Sequence, residues 1–148
     1  MHQKAIAEKL NDFAFKLANV NGTGSASANG LLMQAIFRMG IPVSGKNLFP
    51  SNIQGLPTWY EVRVNGQGHT ARTATYDLMV AMNAETYGRD IREVRAGGYV
   101  LYDSTWPLDR THLRDDVIFL GVPYARLCND AFTQARERTL MKNIAYVG

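Results

Sequence analysis

A chain of 148 residues, 46% hydrophobic and 20% charged, reads as one globular domain large enough to bury a proper core. Its one cysteine, Cys128, excludes an internal disulfide and a cysteine-ligated iron–sulfur cluster or zinc knuckle within the chain. The net charge is +3 and the pI near 9.1, yet the basic residues are scattered, and no Lys/Arg stripe with interleaved aromatics marks a nucleic-acid surface. An anionic small ligand, an acidic partner or a mildly basic solvated surface each accounts for the charge. No apolar run approaches the ~18 residues that span a bilayer. Met1–Leu10 is polar and lacks the apolar stretch of a secretory signal, so the expected location is cytoplasmic, without membrane attachment.

Met1–Asn11 reads as a short helix with Ile6 and Leu10 on one face, an extension over residues 1–12 ahead of a domain over 13–148. Phe13–Val20 has strand periodicity, and Ser25–Met39 reads as a helix with Leu31, Leu32, Ala35, Ile36 and Met39 on one face. Gly40 is its C-cap candidate. Ile41–Ser44 is a second short strand, followed by a loop over Lys46–Pro57. Thr58–Val64 alternates as a strand, with His69–Arg72 as a possible hairpin partner across Asn65-Gly66-Gln67-Gly68. Asp77–Met82 is apolar enough for a central parallel strand. Asn83 caps a helix that ends at Gly97-Gly98, and Tyr99–Asp103 and Val117–Val122 are further strands. Pro123–Phe132 and Arg136–Val147 close the chain as helices. Alternating strands and helices give an α/β fold: a Rossmann-like three-layer α/β/α sandwich with a mostly parallel, mixed sheet.

The organising stretch is the turn Asn21-Gly22-Thr23-Gly24-Ser25 between the first strand and the first long helix. A strand that turns tightly into a helix points unpaired N–H groups and the positive end of the macrodipole outward, where a phosphate can dock. The run Gly22-Thr23-Gly24-Ser25-Ala26-Ser27 has two glycines of G-x-G-x-x-G but Ser27 in place of the third, and no Gly-Lys-Ser/Thr follows. A turn whose glycines only permit tight geometry, with Ser25 or Ser27 as N-cap, explains it equally.

Other chemistry is thin. His2, His69 and His112 lack metal-ligand spacing to another His, Cys or carboxylate. No Gly-x-Ser-x-Gly elbow is present. Cys128 reads as a buried structural thiol, and Asp103-Ser104-Thr105, at a strand end, reads as an Asx or ST turn. The loop Lys46–Gly55 is richer: a cation, Asn47, Ser51, Asn52 and Gln54 for hydrogen bonding, and the aromatic Phe49. These parts suit a ligand with phosphate, amide and apolar portions, or a docking partner.

The run Gly40–Val64, with Asp77–Asn83, Gly97-Gly98-Tyr99 through Trp106-Pro107, and Gly121-Val122-Pro123, resembles the gamma domain of 2-oxoacid:acceptor (ferredoxin) oxidoreductases. It is most similar to the form fused ahead of the alpha subunit in 2-oxoglutarate:ferredoxin oxidoreductases, over about Phe13 to Gly148. The resemblance implies a part in coenzyme A-dependent oxidative decarboxylation of a 2-oxoacid to an acyl-CoA, with electrons passed to ferredoxin. It implies alpha and beta subunits as partners, which carry the thiamine diphosphate, Mg²⁺ and iron–sulfur clusters. It assigns assembly and coenzyme A binding to this chain. By resemblance Gly22, Thr23, Gly24 and Ser25 meet phosphate, and Lys46, Ser51, Asn52 and Gln54 line the ligand or a partner face; no catalytic or metal-binding residue is implied. Many separate gamma subunits have a Gly-Gly-Gln-Gly-like turn where this chain has Asn21-Gly22-Thr23-Gly24. The fused form continues into a thiamine-binding region, so the chain alone is expected to be inactive. The alternative reading is a stand-alone nucleotide-binding or regulatory module.

Overall fold

The computed structural model describes residues 10–50 and 52–148. Most of the expected N-terminal helix, Met1–Lys9, lies outside the described residues, and Leu10 and Asn11 form a bend. Six strands and four helices follow: β1 (Asp12–Val20), α1 (Ser25–Arg38), β2 (Val43–Leu48), β3 (Pro57–Asn65), β4 (Tyr76–Ala81), α2 (Tyr87–Arg92), β5 (Val94–Asp103), β6 (Ile118–Val122), α3 (Tyr124–Ala131) and α4 (Ala135–Val147). Short 3₁₀ turns precede α2 and β6.

The sheet order is β2-β3-β1-β4-β5-β6. β1, β4, β5 and β6 pair in parallel, and β3 pairs antiparallel with both β1 and β2. All strands except β3 therefore run one way, the mostly parallel sheet that the sequence suggests. β1 is central because it is buried on both faces. Phe15 and Leu17 join a core with Leu32, Met33 and Ile36 of α1, Tyr124 of α3 and Tyr146 of α4. Ala14 and Ala18 join a second core with Tyr87 and Ile91 of α2. Helices thus cover both faces, thinly on the α2 side. No helix among the described residues is long and apolar enough to cross a membrane.

Several boundaries differ from the sequence reading. β2 begins at Val43 and runs to Leu48, so Lys46, Asn47 and Leu48 lie in an edge strand and not in a loop. Pairing with β3, from Val43↔Val64 to Leu48↔Trp59, overrides the weak strand propensity of Gly45-Lys46-Asn47. His69–Arg72 is no hairpin partner, because β1 and β2 already occupy both edges of β3. The helix after Asn83 stops at Arg92, and Gly97-Gly98 falls inside β5. Gly97 has φ 77°, and a Cβ on Gly98 would meet the Asp77 carbonyl at 3.0 Å. The β4–β5 register shifts here, so these glycines serve a bulge and not a helix end. Asn83 does cap, its side chain accepting from Glu85 N–H at 3.1 Å.

The α2 face of the sheet carries charges. Lys16, in mid-β1, is 2% exposed, with Nζ 2.5 Å from Glu93 Oε2 and over the rings of Trp59 and Tyr76 at 5.5 and 5.3 Å. Trp59 Nε1 donates to buried Asp90 at 2.8 Å. Glu61 accepts from Arg72 at 2.6 Å and from the Tyr76 hydroxyl. Burial alone would raise the Glu61 carboxyl. Hydrogen bonds from Arg72 and Tyr76 and the charges of Arg72 and Lys16 outweigh it and hold the group below its ordinary range.

Two outcomes are expected. A carboxyl with a depressed folded pKa contributes stability above its unfolded pKa and loses it as pH falls through the folded value. The thermal midpoint should therefore decline on acidification from about pH 5 to pH 3, and less steeply in Glu61→Gln. Denaturant titration should also show an asymmetry at the buried ion pair. Glu93→Leu strands the Lys16 ammonium and costs about 3 kcal/mol, while Lys16→Met leaves a partly exposed carboxylate and costs about 1 kcal/mol or less.

Candidate functional site

The turn that follows β1 is fixed from three sides. Asn21 N–H donates to Leu56 O at 2.8 Å, Gly55 N–H donates to Asn21 O at 3.0 Å, and Asn21 Nδ2 donates to Ile53 O at 3.1 Å. These bonds lace the turn to the loop before β3. Thr23 Oγ1 donates back to Val20 O at 2.8 Å, and Asn143 Nδ2 of α4 donates to Thr23 O at 2.7 Å. Gly22 and Gly24 take φ of 86° and 83°, where a side chain is strained. They are also crowded: a Cβ on Gly22 would lie 2.9 Å from Gln54 Cγ, and one on Gly24 would lie 2.7 Å from Leu140 Cδ2.

Beneath the turn lies a closed set of buried polar side chains. Asn19 Nδ2 donates to Asn143 Oδ1 and to Tyr146 Oη at 3.2 and 3.1 Å, and the Tyr146 hydroxyl donates to Asn29 Oδ1 at 3.0 Å. Burial pushes the Tyr146 hydroxyl up to about 12, so it stays a neutral donor.

The first turn of α1 is open to a ligand. Its N-cap, Gly24, makes no side-chain cap, and the turn holds no acidic residue. A cavity of about 190 Å³ adjoins it, lined by Gly22, Gly24, Ser25, Ala26 and Asn29 on one side and by Asn47 of β2, Phe49 just after it, and Thr58 and Trp59 of β3 on the other. Phe49 is 47% exposed, an apolar surface at the rim. On the α4 side of the same turn, Arg138 and Lys142 border a second cavity of about 180 Å³ at the C-terminal ends of β1 and β4. Open α/β sheets place ligands at such strand ends.

The sequence-derived candidates separate here. Gly22, Gly24 and Ser25 line the first cavity, Gln54 packs on Gly22, and exposed Asn52 lies in the adjoining loop. Thr23 turns its hydroxyl back to the chain. Ser51 lies outside the described residues. Lys46 belongs elsewhere. It alternates with Asn47 along β2 and lines a cavity on the α2 face with Glu61 and Arg72. Thr58 and Trp59 come to the site through the pairing of β3 with β1, which no local pattern announces. Asn29 had a signal, lying four residues after Ser25 on the same helix face.

The remaining candidates are structural. Asp103 accepts from Thr105 N–H and Ala125 N–H, both at 3.1 Å, forming the expected turn and fastening the start of α3. Cys128 is buried, and burial raises its thiol pKa. Among the described residues no group of three His, Cys, Asp or Glu side chains could hold a metal ion.

Residues 14–148 match the family model for pyruvate ferredoxin/flavodoxin oxidoreductase. The alpha subunit of 2-oxoacid:ferredoxin oxidoreductase 2 from Aeropyrum pernix is 28% identical over 92 residues, which are 62% of this chain and 14% of that one. The 2-oxoglutarate:ferredoxin oxidoreductase of Magnetococcus marinus, solved with 2-oxoglutarate, coenzyme A and succinyl-CoA bound, superposes with a TM-score of 0.77 at 22% identity. The match covers 91% of this chain and 23% of that one. The gamma subunit of a keto/oxoacid ferredoxin oxidoreductase from Geobacter sulfurreducens gives 0.69 at 16% identity, over 91% of this chain and 73% of that one. A pyruvate oxidoreductase subunit from Thermotoga maritima gives 0.61 at 13% identity, over 92% and 97%. The chain thus spans a small part of the first relatives and nearly all of the last. Matched by one family model over residues 14–148 and sharing the fold of a gamma subunit, the chain belongs to the pyruvate ferredoxin/flavodoxin oxidoreductase family.

Proposed function

We propose that this chain is the gamma-type unit of a 2-oxoacid:ferredoxin oxidoreductase of the 2-oxoglutarate type, and that it holds coenzyme A for the complex. The observation that carries the reading is the uncapped first turn of α1, opening on a cavity beside two crowded, left-handed glycines. The donor set suits coenzyme A. Backbone N–H groups at Ser25 and Ala26 and the positive end of α1 would meet pyrophosphate. Asn47 and Gln54 offer amide groups to a pantetheine arm, and Phe49 offers it an apolar wall. The coenzyme A bound in the Magnetococcus marinus relative supports the assignment. Arg138 and Lys142, across the turn, supply the cations for an anionic nucleotide; Lys46, on the other sheet face, falls outside this site.

What the chain contains supports a division of labour. It would position coenzyme A and contact the alpha and beta subunits. Thiamine diphosphate with Mg²⁺ would support decarboxylation in those partners, and their iron–sulfur clusters would pass electrons to ferredoxin. Its single cysteine is buried and cannot supply a cluster's thiolates.

Coenzyme A titration of the assembled enzyme tests the site. Ala26→Glu places a negative charge in the first turn of α1, which favours the helix but repels phosphate. Affinity should fall about tenfold or more, ~1.4 kcal/mol, while the thermal midpoint holds or rises. Lys46→Ala should leave affinity unchanged. Wild-type affinity in Ala26→Glu refutes the site. Separately, the isolated 148-residue chain should not oxidise 2-oxoglutarate with an artificial electron acceptor, and measurable turnover would overturn the division of labour.

A further inference from the structure

The α2 face holds a cavity of about 280 Å³ between β2, β3 and the segment 66–75. It is a different place from the coenzyme A site and does not depend on that reading. At its floor is Glu61, 6% exposed, with one carboxylate oxygen satisfied by Arg72 and Tyr76. The other oxygen, Oε2, is buried and has no hydrogen-bond partner among the described residues. The Thr73 hydroxyl on the cavity wall is likewise buried without a partner. An ionised oxygen left unpaired in an enclosed site carries a desolvation penalty that a donor, best a cationic one, removes.

The mouth of the cavity has the opposite character. Lys46 is exposed, faces Glu61 across the β2–β3 ladder and forms no ion pair among the described residues. Arg72 is 57% exposed, lines the cavity and uses one terminal nitrogen on Glu61, leaving further guanidinium donors. Arg63 is not available, being tied to Asp12 and to the Phe13 and Val64 carbonyls. A buried acceptor at the floor and two cations at the rim complement a molecule that carries one ammonium and two carboxylates. The cavity of about 280 Å³ admits such a molecule.

We infer that this cavity binds an acidic α-amino acid, its ammonium on Glu61 Oε2 and Thr73 and its carboxylates on Lys46 and Arg72. The test is calorimetric titration of the 148-residue chain with L-glutamate and, separately, with 2-oxoglutarate. The second keeps both carboxylates and the carbon skeleton but has a ketone in place of the ammonium. Saturable L-glutamate binding is expected, at least about tenfold tighter than 2-oxoglutarate. It should weaken about tenfold or more in Glu61→Gln and in Lys46→Ala, with circular dichroism unchanged. Should Glu61→Gln not fold, Thr73→Val removes the other floor partner and should weaken L-glutamate selectively. No saturable L-glutamate binding, equal binding of the two compounds, or wild-type affinity in the folded variants would each overturn the inference. Coenzyme A affinity of the assembled enzyme should not change in Lys46→Ala, so the two sites fail or stand separately.

Discussion

The candidate site depends on the way Asn143 and Tyr146 hold α4 against the end of β1. Asn143 uses both ends of its amide, accepting from Asn19 and donating to Thr23 O; Tyr146 accepts from Asn19 and donates to Asn29. One cluster therefore ties together the last residues of β1, the turn, the second turn of α1 and α4. Each member is buried and partnered, which is the condition under which such a cluster specifies one arrangement and not several. It presses Leu140 against the position a Gly24 side chain would take. The same packing that demands glycine leaves the N-cap without a side chain, and so leaves the first N–H groups of α1 for a ligand. Structural need and binding capacity thus arise from one contact.

β1 also decides the different character of the two sheet faces. Its alternation sends Phe15 and Leu17 to the side of α1, α3 and α4, and Ala14, Lys16 and Ala18 to the side of α2. A lysine at the centre of a sheet must have its charge answered locally, since the cost of burying it unpaired is several kcal/mol. Glu93 answers it directly, Trp59 and Tyr76 supply ring faces, and Asp90 and Glu61 lie in the surrounding layer. Desolvation pushes the Asp90 carboxyl upward, only partly offset by hydrogen bonds from Thr86 and Trp59. The α2 face is polar for a reason rooted in one residue of β1.

What could be read in the sequence follows the range of the forces involved. The first strand, the glycine turn and the first helix are encoded by local period and local φ preference, and they stand within a residue or two of expectation. β2 was displaced because its limits are set by pairing with β3, eleven or more residues away, against the propensity of its own residues. Gly97-Gly98 misled because glycine serves helix ends and bulges alike, and only the β4–β5 register distinguishes them. Of the cavity beside the turn, the lining by Gly22, Gly24 and Ser25 follows from a local glycine pattern, while the lining by Thr58 and Trp59 follows from long-range pairing. Lys16 did leave a trace, as the one charge inside the apolar run Phe13–Val20, and such a charge implies a buried counter-charge from a distant element.

The separation of Lys46 from the cavity beside the glycine turn rests on the parity of β2, and that parity is fixed at three points. Val43 packs in the core shared with α1, and Leu48 packs in the core on the α2 side, so the strand's ends are anchored on opposite faces. Between them Gly45 lies against the Tyr60 ring, where a Cβ would come within 2.4 Å of the hydroxyl oxygen. A slip of one residue would expose both anchors and drive the Lys46 side chain into that ring. It would also exchange Lys46 and Asn47 between faces, giving the glycine turn a cation and leaving the rim of the Glu61 cavity with Arg72 alone. The edge strand's composition, poor for a strand, is therefore selected by what stands on each side of it: glycine where Tyr60 allows nothing larger, an amide toward α1, and an ammonium opposite the buried carboxylate.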